Sequence, residues 1–333
     1  MTKLPFVSSL LILAALVHLA APVSAQRPSL GPLTFEEGVP LQRLGYTPML
    51  EIADPVGQGA VRMDLWMGYS NVFERDSSAV HDVYLDLERY ITTATLRYGV
   101  SDGLEVGGRF TWEHTGGGFL DAFMVDFHDW FSLGSRRRRH FPYGDYRVTV
   151  HDAEGRLRID IPQRGFALED VRLFAKWKVY EGADGHSLVS LRAVTRIPTA
   201  NDQLGAERAD ASLMALGRTA WRGWHVHGGL GALTVRSSPE LDDLMRDGTW
   251  FFYFGLERPF NDGLSGVIEY VESKPIMEDV GDSDVDGAIA NVILGVVGRA
   301  GTSWKWEVSM QEDWPPRGPS LDFQFQVAVS KTW

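Results

Sequence analysis

The sequence contains no cysteine. That excludes disulfide staples, thiolate metal sites and a lipid anchor on an N-terminal cysteine. Past residue 25 no apolar run approaches the roughly 18 residues a membrane-crossing helix needs, so a mature chain in a membrane would have to cross it as strands. There is no excess of positive charge either. The balance of 32 Lys and Arg against 44 Asp and Glu is −12 at pH 7, which excludes a general nucleic-acid footprint. No H-E-x-x-H, no G-x-S-x-G and no phosphate-cradling glycine loop occurs, and no cofactor is implied. What the chain has in quantity is aromatics, 17 Phe, 11 Trp and 10 Tyr, together with 35 Gly.

Residues 1–25 read as a secretory signal peptide. Lys3 supplies the charged start, Phe6 to Ala21 the apolar core and Val23-Ser24-Ala25 a small-residue cleavage site. Residues 26–59 carry Pro and Gly without a sustained period and read as a periplasmic N-terminal segment, either free or tucked into the barrel mouth. Residues 60–333 then read as a β-barrel.

The last strand shows the pattern most clearly. Leu321, Phe323, Phe325, Val327 and Val329 alternate with Asp322, Gln324, Gln326, Ala328 and Ser330, so one face is apolar and the other polar. A closing strand with Phe325 and a terminal Trp333 resembles the signal that outer-membrane barrels present to their assembly machinery. Similar alternation predicts strands near 60–73, 81–98, 104–112, 171–179, 187–197, 210–221, 224–236, 248–258, 264–273, 287–299, 303–311 and 321–333. In the second of these the apolar phase slips between Leu87 and Tyr90, which predicts a bulge.

The connections alternate in length. Gly99–Gly103, Glu181–His186, Arg222–Gly223, Pro259–Gly263 and Ala300–Gly301 are short. Glu74–Val80, the 115–168 insertion, Pro198–Ala209, Ser237–Asp247, Ser273–Asp286 and Glu312–Ser320 are long. Outer-membrane barrels have short periplasmic turns and long extracellular loops. The expected fold is therefore an all-β, antiparallel transmembrane barrel of about twelve strands in the cell outer membrane, with one long extracellular insertion.

On that reading the apolar faces meet lipid, and Trp177, Trp221, Trp304, Trp306 and Trp333 form girdles at the two interfaces. The opposite faces line the lumen with Arg62, Asp64, Glu105, Arg109, Glu113, Arg172, Lys176, Arg192 and Glu269. Charges inside a barrel need water or partners. A barrel of this size lies near the width where a lumen changes from filled to open. The length of the inward side chains tilts the reading towards a narrow or plugged lumen.

The insertion carries an amphipathic helix, with Phe119, Phe123 and Phe127 on one face and Gly134 to stop it. After the basic run Arg136 to Arg139 comes a hairpin around Asp152-Ala153-Glu154-Gly155. The helix has three readings. It caps or plugs the mouth, it lies on the outer leaflet with its aromatic face in lipid, or it presents His128 with Asp121 or Asp129 as a catalytic candidate. The arginines have the chemistry to pair with the phosphates of lipopolysaccharide.

Leu120-Asp121, Phe127-His128-Asp129-Trp130-Phe131 with the following arginines, Asp152-Ala153-Glu154-Gly155, Trp306-Glu307-Val308-Ser309 and Phe323–Trp333 resemble the proteobacterial outer-membrane family of domain of unknown function 3187. The resemblance runs loosely over most of the mature chain. Four consecutive arginines and a final Trp depart from the usual pattern. The resemblance implies a barrel in the outer membrane and assigns no residue a role.

Two further patterns stand out. Asp282, Asp284 and Asp286 followed by Gly287 copy the first half of a calcium loop, but Ile293 stands where the bidentate Glu belongs. His225 and His227 share one strand face, a two-ligand metal pattern. The leading functional expectation is a passive channel or solute-uptake protein for a small solute, surrounded by outer-membrane lipid. An outer-membrane acyl hydrolase and a structural or adhesive surface barrel are the alternatives, and the balance leans away from an enzyme.

Overall fold

The computed structural model describes residues 27–39, 41–44, 50–77, 81–131, 138–152, 154–163, 165–183, 185–200, 209–236, 244–278, 287–313, 321 and 323–333. The signal peptide and the Asp282, Asp284 and Asp286 loop lie outside these residues.

Strands β1 (Val61–Ser77), β2 (His81–Ser101) and β3 (Leu104–Gly116) are followed by helix α1 (Asp121–Phe131). The rest of the insertion holds β4 (Arg147–Asp152), β5 (Leu157–Asp160) and β6 (Ala167–Leu168). The chain continues through β7 (Val171–Glu181), β8 (Leu188–Ile197), β9 (Asp210–Trp221), β10 (Trp224–Thr234) and β11 (Gly248–Asn261). It ends with β12 (Leu264–Ser273), β13 (Ile289–Ala300), β14 (Trp304–Asp313) and β15 (Phe323–Thr332).

Each of β1, β2, β3 and β7 to β15 pairs antiparallel with its neighbour, and β15 pairs back onto β1 from Arg62↔Thr332 to Asn71↔Phe323. This closes a twelve-stranded barrel with no free edge in the wall. The short connections gather at one end and the long ones at the other. Among the two-residue turns is Arg222-Gly223, both at positive φ (50° and 78°). That left-handed pair matches the twist of a two-residue hairpin, and Gly223 adopts it without steric cost.

The period-two pattern explains the wall. Outward positions carry an exposed apolar belt, including Met63, Leu96, Phe110, Leu173, Leu213, Leu230, Phe254, Val308 and Val329. Trp177, Trp221, Trp304 and Trp333 are exposed near the short-turn end. Trp306 also faces outward, half-buried, with its ring over Gly298.

Two expectations change. The bulge expected at Leu87–Tyr90 is absent, since β2 holds an unbroken register with β1 from Val61↔Tyr98 to Ser77↔Asp82. The apolar phase slips there for another reason. Leu85, Leu87 and Ile91 face inward, while the outward Asp86 and Glu88 are covered by the insertion. The second change concerns residues 27–59. Those of them that the structure describes do not rest at the periplasmic mouth but run through the inside of the barrel.

The insertion extends the wall at the long-loop end. β4 pairs with the part of β2 that projects past β3, from His81↔Asp152 to Asp86↔Arg147, and β5 pairs with β4. Val83, Leu85, Val148, Val150 and Ile159 form the buried inner face of this extension. It joins the same apolar cluster as Val235, Met245 and Met277 from the loops opposite.

Candidate functional site: a hairpin inside the lumen

The described residues of 27–39, 41–44 and 50–57 form two arms of a hairpin inside the barrel. The first arm starts at the short-turn end, where Arg27 donates to the carbonyls of Pro259 and Phe260. It climbs past β11, β12 and β14 to a 3-10 turn at Leu41–Leu44. There the Gln42 side-chain carbonyl accepts the Ile276 N–H (3.2 Å), just beyond the long-loop end of β12. The second arm descends from Leu50, bridged to Phe35, and leaves at Gly59, whose N–H donates to the Gly99 carbonyl (2.8 Å).

The wall holds the hairpin largely by its backbone. Glu257 accepts the N–H groups of Leu30 (2.8 Å) and Gly31 (3.1 Å), Glu269 that of Leu33 (3.0 Å), and Glu307 that of Thr34 (2.7 Å). On the other side Lys176 donates to the Ile52 carbonyl (3.1 Å) and Ser190 to that of Ala53 (2.7 Å), while Glu105 accepts the Val56 N–H (2.8 Å). An extended segment without sheet partners would leave these groups unsatisfied inside a protein. Glutamates and lysine placed on the inward phase satisfy them.

The barrel offers the hairpin one largely apolar wall and one charged wall, and Glu36 and Gly38 of the first arm and Leu50 and Ala53 of the second reach across to the other. The first arm packs Leu30, Leu33 and Phe35 in a cluster with Met214, Leu216, Phe251, Tyr253, Val267, Val271 and Ile293. Gly229 and Gly231 make room there, because a Cβ at either would lie 2.2 or 2.4 Å from the rings of Tyr253 and Phe251. The second arm faces a charged wall built by β1, β2, β3, β7 and β8.

That wall centres on Glu51 of the hairpin. Its carboxylate meets Arg97 (2.5 Å), Arg192 (2.7 Å) and Lys176 (3.7 Å). Arg97 also pairs with Asp64 (2.7 Å) and Glu105 (2.9 Å), Lys176 with Glu105 (3.3 Å), and Arg62 with Asp64 (2.7 Å). The Phe174 ring lies beneath the guanidinium carbons of Arg97 (5.2 Å) and Arg192 (4.5 Å). Two more hairpin carboxylates pair with wall arginines, Glu36 of the first arm with Arg109 on β3 and Asp54 of the second with Arg218 on the neighbouring β9. Arg89 pairs with Glu113 and donates to the Gly38 carbonyl.

Of the sequence-derived lumen set, Asp64, Glu105, Arg109, Glu113, Arg172, Lys176, Arg192 and Glu269 are buried inside the barrel, and Arg62 is half-buried. Eight of these nine belong to the charged wall, and Glu269 stands apart under the first arm. Arg172 pairs with Glu169 (3.4 Å) rather than with the Glu51 group.

The sequence reading missed Glu36, Glu51, Asp54, Arg89, Arg97 and Glu257. The hairpin residues carry no periodicity that would have marked them, while Arg89 and Arg97 stand on the inward phase of β2 and were legible there. It also assigned apolar side chains to lipid throughout. Along β9 to β13 Met214, Leu216, Phe251, Tyr253 and Ile293 point inward instead. His225 and His227 do share the inward face, but no group of three potential metal ligands forms among the described residues. His227 lies 3.0 Å from Glu257, and His225 lies 2.9 Å from the Arg27 carbonyl.

Helix α1 lies outside the wall rather than in the mouth. Phe123 and Phe127 contact the outward ring of Phe323. Asp121 bonds to Asn71 (2.9 Å) and to the Gly144 N–H (2.7 Å) and pairs with Arg138. Its carboxylate is thus engaged in docking the insertion. Asp129 pairs with Arg139 at the surface, and the His128 side chain lies outside the described residues. Arg138 also reaches Asp86 (2.6 Å) and stands over the Phe73 ring (4.5 Å).

A model of the family described as "Protein of unknown function (DUF3187)" matches residues 8–333. No curated protein matches the chain in sequence. Among solved structures, the COG4313 outer membrane channel from Pseudomonas putida F1 is similar with a TM-score of 0.54 and 12% identity, over 84% of this chain and 98% of that one. The KdgM porin gives 0.42 and 7%, over 81% and 98%. The translocator domain of autotransporter NalP from Neisseria meningitidis gives 0.40 and 13%, over 83% and 89%. At such identities the first shares the barrel fold, and the other two carry no further argument.

Proposed function

The chain belongs to the DUF3187 family, and on that footing we propose that it is an outer-membrane barrel that passes a small solute along the charged half of its lumen when the second arm of the hairpin moves aside. The long loops face the cell exterior and the short turns the periplasm, as in barrels of this architecture.

The observation that carries the reading is the difference between the two walls. The first arm is packed as a core is packed. The second lies against buried cations and carboxylates, an arrangement that well-packed apolar side chains would replace at no loss of stability if filling were its purpose. Charged groups on a lumen wall suit a path that holds water when open. Ion pairs with Glu51 and Asp54 keep those charges matched while the arm is in place. The shared fold with an outer-membrane channel agrees with this reading.

The test is conductance of the refolded mature chain in a planar bilayer. Discrete steps are expected to be rare in the parent protein. They should be at least about tenfold more frequent in Glu51→Gln, which weakens the hold on the second arm. Silence from both proteins, with folding verified, would overturn the gated-path reading.

A further inference from the structure

We propose that Arg97, Lys176 and Arg192 form a binding site for a small carboxylate-bearing solute, and that Glu51 of the chain itself occupies this site in the resting state. The inference rests on the gated-path reading and names the class of solute that would use the path.

The geometry is that of a carboxylate receptor. Two guanidiniums and one ammonium converge on a single carboxylate at 2.5, 2.7 and 3.7 Å. Guanidinium forks match carboxylates in shape as well as charge. Phe174 beneath both arginines fixes their planes, so the receptor does not depend on the ligand for its shape. Nη1 of Arg192 is buried with no hydrogen-bond partner among the described residues, leaving a donor for an oxygen that Glu51 does not supply.

Charge counting gives the direction. Without Glu51, the wall group contains Arg62, Arg97, Lys176 and Arg192 against Asp64 and Glu105, four cations to two anions. Moving the second arm away leaves an excess of two positive charges in a confined space. An isolated buried charge is costly, so the open state favours an anion that takes the place of Glu51. A soluble carboxylate thereby competes with the arm and stabilises the open path. A neutral solute of equal size has no such effect.

Two measurements on the full-length mature chain test this. The first uses Ala53→Cys, the sole cysteine in that protein and buried on the second arm. Its labelling by a maleimide reports opening. Potassium succinate is expected to speed labelling at least threefold over potassium chloride of equal ionic strength. That dependence should vanish when Arg192→Gln is added. Equal rates in the two salts overturn the carboxylate site.

The second measurement is chemical rescue. Glu51→Ala removes the resident carboxylate. Acetate is expected to raise its melting temperature by several degrees over chloride, with no rise for the parent protein. Absence of rescue in folded Glu51→Ala overturns the site. If Glu51→Ala does not refold, the labelling comparison decides alone. Rescue or succinate-dependent labelling from a protein whose Glu51→Gln form never conducts would uphold the site and overturn the gated path instead, so the two failures are distinguishable.

Discussion

Asp54 and Arg218, 164 residues apart, meet in a two-point ion pair, with Oδ1 2.8 Å from Nη2 and Oδ2 2.5 Å from Nε. This pair fastens the foot of the second arm to β9 and is partly exposed, 34% for Asp54 and 15% for Arg218. A partly exposed bidentate pair is worth about 1 kcal/mol, which corresponds to roughly a fivefold change in an equilibrium. Asp54→Asn should therefore raise the maleimide labelling rate of Ala53→Cys about fivefold at low salt. The difference should shrink in 1 M salt, because the pair is open to screening. An unchanged rate would show that the foot of the arm is held elsewhere.

Arg97 joins Glu51, Asp64 and Glu105 in a buried group. Removing one partner from such a group leaves the others charged and unmatched, at a cost of about 3–5 kcal/mol. Arg97→Gln should lower the unfolding midpoint of the refolded barrel accordingly. The double variant Arg97→Gln with Glu51→Gln is expected to recover part of that loss, since it also removes one stranded carboxylate. A double variant less stable than the sum of the singles would contradict this coupling.

Asp86 lies on the stretch of β2 that pairs with β4, past the membrane-spanning wall. Burial pushes its carboxyl up to about 6, against the pull of Arg138 and with help from Asp121 and Asp145. An unfolded Asp titrates near 3.9, so between about pH 4 and 6 the folded protein holds a proton that the unfolded chain has lost. This group's favourable contribution is complete below about pH 4 and is lost as the pH rises through about 6. The melting temperature of the parent minus that of Asp86→Asn should fall over this window, by at most about 3 kcal/mol in stability, and then level off. A flat or rising difference would refute the assignment.

Phe119 and Trp130 are 76% and 72% exposed on the insertion, which docks on the outer wall beside Phe323. A membrane surrounding the barrel would receive these rings at the level where aromatics favour the interface. A fluorophore on Trp130→Cys should show blue-shifted emission and be quenched by nitroxide-labelled lipids. The same probe on Glu154→Cys, at the hairpin tip, should resist quenching. Equal behaviour at the two positions would place α1 in water.

The wall was legible in the sequence because its signal repeats. Twelve segments alternate with period two, turn lengths alternate with them, and Trp221-Arg222-Gly223-Trp224 marks a tight hairpin by residue type alone. The helix at Asp121 and the hairpin at Asp152 were legible from spacing and turn chemistry. The luminal hairpin was not. Its backbone bonds go to side chains of distant strands, such as Leu30 to Glu257, and its residues follow no period. Apolar alternation also cannot say which face is the lipid face. Along β11 both Phe251, which points in, and Phe252, which points out, are large aromatics. The charges of the lumen were visible one by one, but their convergence on Glu51 depended on a partner from outside the barrel strands.

The hairpin enters and leaves the barrel through the same end. Topologically it is a loop pushed into a tube and not a cord drawn through it. Arg27 and Gly59, the two ends of the described hairpin, both lie at that end, so neither has to pass along the lumen for it to go in or come out. The ring of strands can close around the hairpin or before it arrives, so the order of these two events in assembly is left free by the geometry. The same connectivity would make the proposed withdrawal of the second arm reversible, because β1 anchors its lower end to the wall and holds it at the entrance to which it must return.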